Sequence, residues 1–172
     1  MSDRPTHRQY ARVELERRFL LEQLPGDVDP RDYERLDDLF VRDTHLRLRV
    51  VRRPGGEWVA TKLGQKVVNP EAPLDPRQRQ LSTLYLPEAE GGALASLQGL
   101  RATKRRYKKP EQGWTFCIDV WELPARAAGT IVAEVETPSL AELERITLPA
   151  WALREVTDDA RCSAIALARL GP

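Results

Sequence analysis

Charged side chains stand at every second position in four places along the chain. Glu14 and Glu16, for example, alternate with the apolar residues Val13 and Leu15. Because successive side chains of a strand point to opposite faces, each charged row would share one face of a strand whose other face is apolar. A single charged row is usually the solvated face of a sheet. The recurrence of rows of both signs instead favours one surface that holds a polyanion and its cations. The rows are Glu14, Glu16 and Arg18; Arg47 and Arg49; Lys104 and Arg106; and Glu134 and Glu136.

The composition limits the class of protein. The chain has 172 residues, of which 41% are hydrophobic and 31% charged, so it is long enough for one domain with a substantial core. Its formal net charge is +1, which gives no overall attraction to nucleic acid or to a membrane surface. Cys117 and Cys162 are too few for a disulfide scaffold and lack the spacing of a metal motif. We therefore expect a cytoplasmic protein.

Apolar alternation and turn residues predict eight strands, most of them connected as hairpins. The strands cover about 12–21, 33–42, 44–52, 57–63, 77–86, 101–109, 114–122 and 129–137. A short helix opening at 29–32 is the alternative for the second strand. The segment 64–76 contains three prolines and predicts a loop. Helices are expected at 87–97, from the capping residue Ser139 to about 147, and after Asp158 or Asp159.

An antiparallel sheet of eight strands can close into a barrel, and helices can cover its apolar outer face. We therefore expect an α+β fold that is mainly β, a closed eight-stranded antiparallel barrel with a charged lumen and two to four flanking helices. No internal repeat or linker divides the sequence, so residues 1–172 are predicted to form a single domain with a polar lead-in over 1–11.

Seven short motifs follow one another between residues 13 and about 170. They are Glu14-Leu15-Glu16-Arg17-Arg18, Leu46-Arg47-Leu48-Arg49, Ala60-Thr61-Lys62, Lys104-Arg105-Arg106-Tyr107, Cys117-Ile118-Asp119, Ala133-Glu134-Val135-Glu136 and Glu155-Val156-Thr157-Asp158-Asp159. Each motif alone is a weak signal. In this order they resemble those of the CYTH family, the triphosphate tunnel metalloenzymes, and the first is similar to that family's Glu-x-Glu-x-Lys signature.

The resemblance implies a closed tunnel in which basic walls hold a triphosphate and acidic residues hold Mg²⁺ or Mn²⁺. It assigns phosphate binding to Arg18, Arg47, Arg49, Lys62, Lys104 and Arg106. It assigns the metal to Glu14, Glu16, Asp119, Glu134 and Glu136, and catalytic roles to Arg18 and Asp119. The chemistry agrees, because carboxylates bind hard divalent cations and arginine binds phosphate with two parallel hydrogen bonds. Phosphoryl transfer also needs mainly positioning and charge stabilisation.

The chain departs from the family's pattern at two places. Arg18 stands where a lysine is usual; it keeps the charge but cannot act as a base. Where the family has an Arg-x-Glu-x-Glu pattern, this chain has Arg79-Gln80-Leu81-Ser82-Thr83, so Leu81 and Thr83 replace two lumen carboxylates. We therefore predict one strong metal site, a weak second one, and slow catalysis.

Three functions fit these residues. The first is a metal-dependent triphosphatase acting on inorganic triphosphate or another triphosphorylated small molecule, with no nucleic-acid or membrane partner and with a homodimer left open. The second is a class IV adenylyl cyclase, for which the sequence shows no clear base-reading set. The third is a non-catalytic polyphosphate or nucleotide-phosphate binding module, which the loss of carboxylates at Leu81 and Thr83 favours.

For several residues near the motifs, the sequence does not predict a direct role in binding or catalysis. Asp37 and Asp38 are expected at the surface or in a turn. The four tryptophans could stack on a nucleobase, but a place in the core or on the barrel exterior is the more common one for this residue. Glu155 would either serve the tunnel mouth or simply precede a helix.

Overall fold

The structure is a computed structural model that describes residues 10–171, so most of the predicted lead-in over 1–11 lies outside the described residues. The described chain contains nine strands and three α-helices. The strands are β1 (Arg12–Leu21), β2 (Glu34–Val41), β3 (Leu46–Arg52), β4 (Trp58–Val68), β5 (Gln78–Leu86), β6 (Gly99–Glu111), β7 (Trp114–Leu123), β8 (Ile131–Glu136) and β9 (Arg154–Glu155). The helices are α1 (Glu88–Leu94), α2 (Leu140–Arg145) and α3 (Ala164–Ala168). None of the helices within residues 10–171 is long and apolar enough to cross a membrane.

Eight of the strands close into an antiparallel barrel, as the sequence predicts. Their order is β5-β4-β3-β2-β6-β7-β8-β1, and pairing of β1 with β5 closes the sheet. The first half of β1 pairs with β5 and its second half with β8, so this one strand completes the barrel wall on both sides. The short strand β9 was not predicted; it pairs with Phe19 and Leu20 of β1 outside the closed barrel.

One apolar cluster covers the outer surface of the barrel, and a second one lies on its inner side. Phe19, Phe116 and Ile118 are buried against Leu143 of α2 and Ile146, which follows it. The smaller inner cluster packs Leu167 and Ala168 of α3 against Trp121, which shares its strand face with Asp119, so α3 borders the lumen. Since the outward side chains of these strands are apolar, the charged rows that alternate with them are left to face the barrel interior.

The turns and caps follow the sequence closely. Gln112 and Gly113 connect β6 and β7 with positive φ angles of 54° and 80°, the backbone geometry of a type I′ hairpin turn. Ser139 caps α2 as predicted, since its hydroxyl accepts a hydrogen bond from the Glu142 amide at 3.2 Å. The predicted final helix is divided: Asp159 caps a single 3-10 turn, and Ser163 then caps α3.

The predicted loop over 64–76 is wrong in its first part. Strand β4 continues to Val68, paired with β3 on one edge and β5 on the other. The prolines of this segment all lie beyond Val68, so they do not interrupt the alternation of Lys62, Gly64 and Lys66. The alternative helix at 29–32 is absent from the described chain, where these residues form turns before β2.

Candidate active site

The barrel contains a cavity of about 1060 Å³, here called the lumen cavity. Its volume lies at the upper end of the range for small-molecule pockets. Basic side chains along it are twice as numerous as acidic ones, so the cavity as a whole attracts anions. The bases are Arg12, Arg18, Arg42, Arg47, Arg49, Lys62, Lys66, Arg79, Arg106 and Arg169, and the acids are Glu14, Glu16, Asp43, Glu134 and Glu136.

The predicted acidic residues meet on one wall because β1 and β8 are neighbours. In the register of this pair, Glu16 lies opposite Glu136 and Arg18 opposite Glu134. Glu14 and Glu16 are both buried. The first strand and the last long strand of the chain therefore supply one acidic wall.

The ammonium of Lys66 lies within this acidic wall. Its Nζ is 2.8 Å from Oε2 of Glu16 and also forms an ion pair with Oε2 of Glu14. Oε2 of Glu14 nevertheless accepts no hydrogen bond of regular geometry from residues 10–171. One lysine therefore shares two buried carboxylates.

The acidic wall carries more negative charge than its cations balance. Burial raises the pKa of Glu16, and the neighbouring Glu134 and Glu14 raise it further against the opposing effect of Lys66. Burial and the adjacent Glu14 raise the pKa of Glu136 to about 7. Hard divalent cations suit such a set of carboxylates, although no three potential ligand side chains within residues 10–171 are grouped around one point in this conformation.

Two buried aspartates hold three of the predicted phosphate-binding bases. Asp38 accepts two hydrogen bonds from Arg49, at 2.6 and 2.7 Å. Asp119 accepts one from Lys104 at 2.6 Å and two from Arg106 at 2.6 and 2.7 Å. These carboxylates lie behind the cavity surface and fix the orientation of the basic wall.

The expectation that Asp38 lies at the surface or in a turn is wrong. Asp38 is 3% exposed and lies opposite Arg49 in the pairing of β2 with β3. Burial alone would raise the pKa of Asp38, but Arg49 and the other surrounding bases hold it well below its ordinary value. An ionised aspartate is therefore built into the wall of the lumen.

Among the predicted phosphate-binding bases, Arg47 and Lys62 have no acid partner in the described chain. Neither forms a hydrogen bond or an ion pair within residues 10–171, where the Lys62 ammonium lies 5.1 Å from the centre of the Tyr85 ring. Burial and the neighbouring Arg49 lower the pKa of Arg47 below its ordinary value. An anion in the lumen cavity would relieve this unfavourable burial of positive charge.

Arg18 is fixed by the segment that follows β9. Its Nη2 donates to the carbonyl of Thr157 at 2.7 Å, and its amide donates to the Thr157 hydroxyl at 3.0 Å. Its Nε is buried without a hydrogen-bond partner in the described chain. Glu155 instead accepts two hydrogen bonds from Arg17 at 2.9 and 2.6 Å, away from the residues that line the lumen cavity.

Several solved structures are similar to this chain over most of its length. Two structures of the protein NE1496, one described as a hypothetical protein and the other as an inorganic triphosphatase, are each 23% identical to this chain. Their TM-scores are 0.59 and 0.56, covering 92% and 90% of this chain and 99% and 97% of theirs. A proposed adenylate cyclase from Bacillus halodurans is 13% identical, with a TM-score of 0.51 over 78% of this chain and 86% of that one.

The chain has the fold of the triphosphate tunnel proteins. No family model matches the sequence, and no curated protein matches it. Because of this fold, we call the barrel interior the tunnel and the residues that line it its walls.

Leu81 and Thr83 line the tunnel, which is where the sequence analysis places them. In the pairing of β5 with β4, Leu81 lies opposite Lys66 and Thr83 opposite Gly64. The two positions at which the resemblance leads one to expect glutamates therefore face the lumen without a carboxylate. The roles assigned to individual site residues stay predictions, including the metal-binding role of Asp119.

Sequence reasoning missed several charged residues of this site, among them Lys66, Asp38 and Arg79. The three prolines of 64–76 predict a loop at Lys66. Lys62, Gly64 and Lys66 nevertheless stand at every second position and continue the alternation of a strand. Asp38 was overlooked because a lone acid gives no paired signal, and only its register with Arg49 shows its place. Arg79 lies opposite Glu14 in the pairing of β1 with β5, a neighbour that becomes apparent only once the barrel closes.

Removal of Arg49 is expected to destabilise the fold more than removal of Arg47. Arg49→Met leaves the buried Asp38 carboxylate without its main partner, which costs about 3–5 kcal/mol. Arg47→Met removes a base that has no such partner and should cost less than about 1 kcal/mol. Unfolding in urea measures both free energies, and equal losses for the two variants would contradict the pairing described here.

Stability without divalent cations should be greatest at mildly acidic pH. The raised pKa values of Glu16 and Glu136 mean that stability increases as pH falls through about 7, because the folded state takes up protons there. The lowered pKa values of Asp38 and Asp119 mean that their stabilisation is present above about pH 4 and is lost below it. Urea unfolding from roughly pH 3 to pH 8 should show a maximum near about pH 5, whereas a steady increase up to the highest pH would contradict the acidic wall.

Proposed function

We propose that this protein binds a triphosphate chain in its tunnel and hydrolyses a phosphoanhydride bond with a divalent cation. The observation that carries the proposal is the pair Arg47 and Lys62, two tunnel-lining bases without an acid partner in the described chain. The excess of bases over acids along the cavity supports the same substrate charge. The shared fold with the inorganic triphosphatase NE1496 supports the substrate class.

The basic wall would bind the phosphate oxygens with little rearrangement. Asp38 and Asp119 hold Arg49 and Arg106 through Nε and Nη2, which leaves the Nη1 group of each guanidinium outside these bonds. Donors that are already oriented stabilise developing charge without a cost of reorganisation. Arg47 supplies a further guanidinium that can contact phosphate with two hydrogen bonds.

Arg18 and Asp119 would act differently from each other. Arg18 lines the tunnel between the acidic residues and the phosphate site, and it can stabilise charge but cannot take up a proton. Asp119 is buried behind Lys104 and Arg106, so we assign it to positioning these two bases. Lys104 itself is almost fully buried and acts through the charge it adds behind the wall.

The acidic wall would hold Mg²⁺ or Mn²⁺. The buried carboxylates of Glu14 and Glu16 and the raised pKa of Glu136 suit a further cation. Glu14, Glu16, Glu134 and Glu136 are the residues that would bind it. A divalent cation there would neutralise phosphate oxygens and lower the pKa of a bound water.

A non-catalytic triphosphate-binding protein is the second candidate. Leu81 and Thr83 offer no carboxylate to a second metal, and Lys66 already contacts two of the remaining glutamates. Binding needs only the basic wall, whereas hydrolysis also needs the acidic one. The two candidates therefore differ in turnover and share their affinity for triphosphate.

Phosphate release separates the two candidates. Inorganic triphosphate, ATP and thiamine triphosphate would each be incubated with the protein and Mg²⁺ or Mn²⁺. Release that depends on the metal supports a triphosphatase, while tight binding of triphosphate without release supports the binding protein. Appearance of cyclic AMP from ATP would instead favour a cyclase, and absence of both binding and release would contradict the proposal.

Arg47→Met and Lys62→Met should each weaken triphosphate binding by about tenfold or more, because a charged hydrogen bond contributes about 1.5–3 kcal/mol. Titration calorimetry in the absence of metal measures the affinity without interference from turnover. Arg53→Met is the matched control, since Arg53 is an exposed base that pairs with Glu57 outside the tunnel. An unchanged affinity in both tunnel variants, or an equal loss in Arg53→Met, would place the anion elsewhere.

The double change Leu81→Glu/Thr83→Glu should raise the rate of hydrolysis at saturating metal. Both positions line the tunnel opposite residues of β4, so the new carboxylates would face the lumen and add ligands for a second cation. Ser82→Glu, on the intervening position of the same strand, is the control because its side chain points to the opposite face. A rate that does not rise in the double variant would show that these positions do not limit metal binding.

A further inference from the structure

Lys66 is the cation that occupies the acidic wall of the tunnel. Its Nζ lies 2.8 Å from Oε2 of Glu16 and pairs also with Oε2 of Glu14. Both carboxylates are buried, whereas the lysine side chain is still 37% exposed to the cavity. The lysine side chain therefore reaches the two acids from within the lumen cavity, which all three residues line.

The position of Lys66 is set by the barrel and not by a flexible loop. Lys66 lies inside β4, where its backbone is paired with both neighbouring strands. The residue opposite Lys66 on β5 is Leu81, whose side chain offers the ammonium no oxygen. The carboxylates that the ammonium contacts are those of Glu14 and Glu16 on β1.

The same two carboxylates cannot serve Lys66 and a divalent cation at once. Mg²⁺ and Mn²⁺ bind carboxylate oxygens at close range and tolerate no second positive charge beside them without an energetic cost. Lysine carries its charge on a stem of four carbons with many rotamers, so it can leave without any change in the backbone. Lys66 also shares the lumen face of β4 with Lys62, which lies on the side of the unpaired bases.

We propose that Lys66 is a tethered cation that holds Glu14 and Glu16 in the metal-free protein and competes with a divalent cation for them. Entry of the cation releases the ammonium into the lumen, where it joins Lys62 and Arg47 as a phosphate ligand. Metal binding and phosphate binding are then coupled through one side chain. This inference rests on the proposal that the acidic wall binds a divalent cation.

Mn²⁺ binding in the absence of phosphate tests this competition directly. Free Mn²⁺ would be measured by electron paramagnetic resonance in titrations of the unmodified protein and of Lys66→Met. Loss of the competing ammonium should tighten Mn²⁺ binding by about tenfold, the equivalent of one charged hydrogen bond. Unchanged or weaker binding in Lys66→Met, or no binding to either protein, would overturn the inference.

Two controls separate competition from a general change in charge. Lys62→Met removes an equal charge from the same strand and face, but Lys62 has no acid partner in the described chain, so its effect should stay within about threefold. Lys66→Arg keeps a cation near the glutamates and should bind Mn²⁺ about as the unmodified protein does. An equal gain in Lys62→Met would reduce the effect to general electrostatics and contradict a specific role for Lys66.

Folding and function are checked by separate measurements. Circular dichroism and thermal unfolding confirm that each variant is folded, and Lys66→Gln takes the place of Lys66→Met if the latter is not. Tighter Mn²⁺ binding in a protein without hydrolytic activity would support this inference and contradict the triphosphatase. Metal-dependent hydrolysis with the same Mn²⁺ affinity in all variants would support the triphosphatase and contradict this inference alone.

Discussion

The structure depends on keeping many like charges inside a closed barrel. Isolated charges are costly to bury, so each must be paired or face a filled, polar cavity. Asp38 and Asp119 meet this requirement for three bases, and they do so from behind the wall, where they do not take up cavity space. The result is a basic surface that stays fixed without an anion. Of the predicted phosphate-binding bases, Arg47 and Lys62 have no acid partner in the described chain, so an anion in the lumen would neutralise them.

The acidic and basic walls are consequences of the same topology. Pairing of β1 with β8 brings the first strand and the last long strand together, which places the early and the late glutamates side by side. The bases come from the strands between them, so they necessarily line the rest of the wall. A triphosphate and its cation would then each meet the wall of opposite charge. The protein needs no nucleophile of its own for the proposed reaction, since the phosphates and the cation would carry the changing charge.

Much of this arrangement could be predicted because alternation is a local signal. The rows of Glu14, Arg47 and Glu134 each lie within a few residues, and strand geometry converts that spacing into a common face. The closed barrel followed from the number of strands and their hairpin connections, and the resemblance to the tunnel family supplied the order of the walls. The lumen positions of Leu81 and Thr83 could be inferred in the same way.

The rest could not be predicted because it depends on register between distant strands. Asp38 is one acid among several on β2, and only its alignment with Arg49 makes it a buried partner. Lys66 lies close to three prolines that favour a loop, yet they follow the strand and leave its pairing intact. The contact of Lys66 with Glu14 and Glu16 also joins β4 to β1, and no single segment of the sequence reveals it. Residues that hold a site together are thus harder to identify from sequence than those that line it.

A crystal structure of the protein with inorganic triphosphate and Mn²⁺ tests the central claim most directly. Anomalous scattering locates the manganese independently of the phosphate density. The account predicts triphosphate inside the barrel, in contact with Arg47 and Lys62, with manganese between it and the glutamates of β1 and β8. Triphosphate bound on the outer surface, or a lumen that excludes it at saturating concentration, would contradict the claim that the barrel interior is the site.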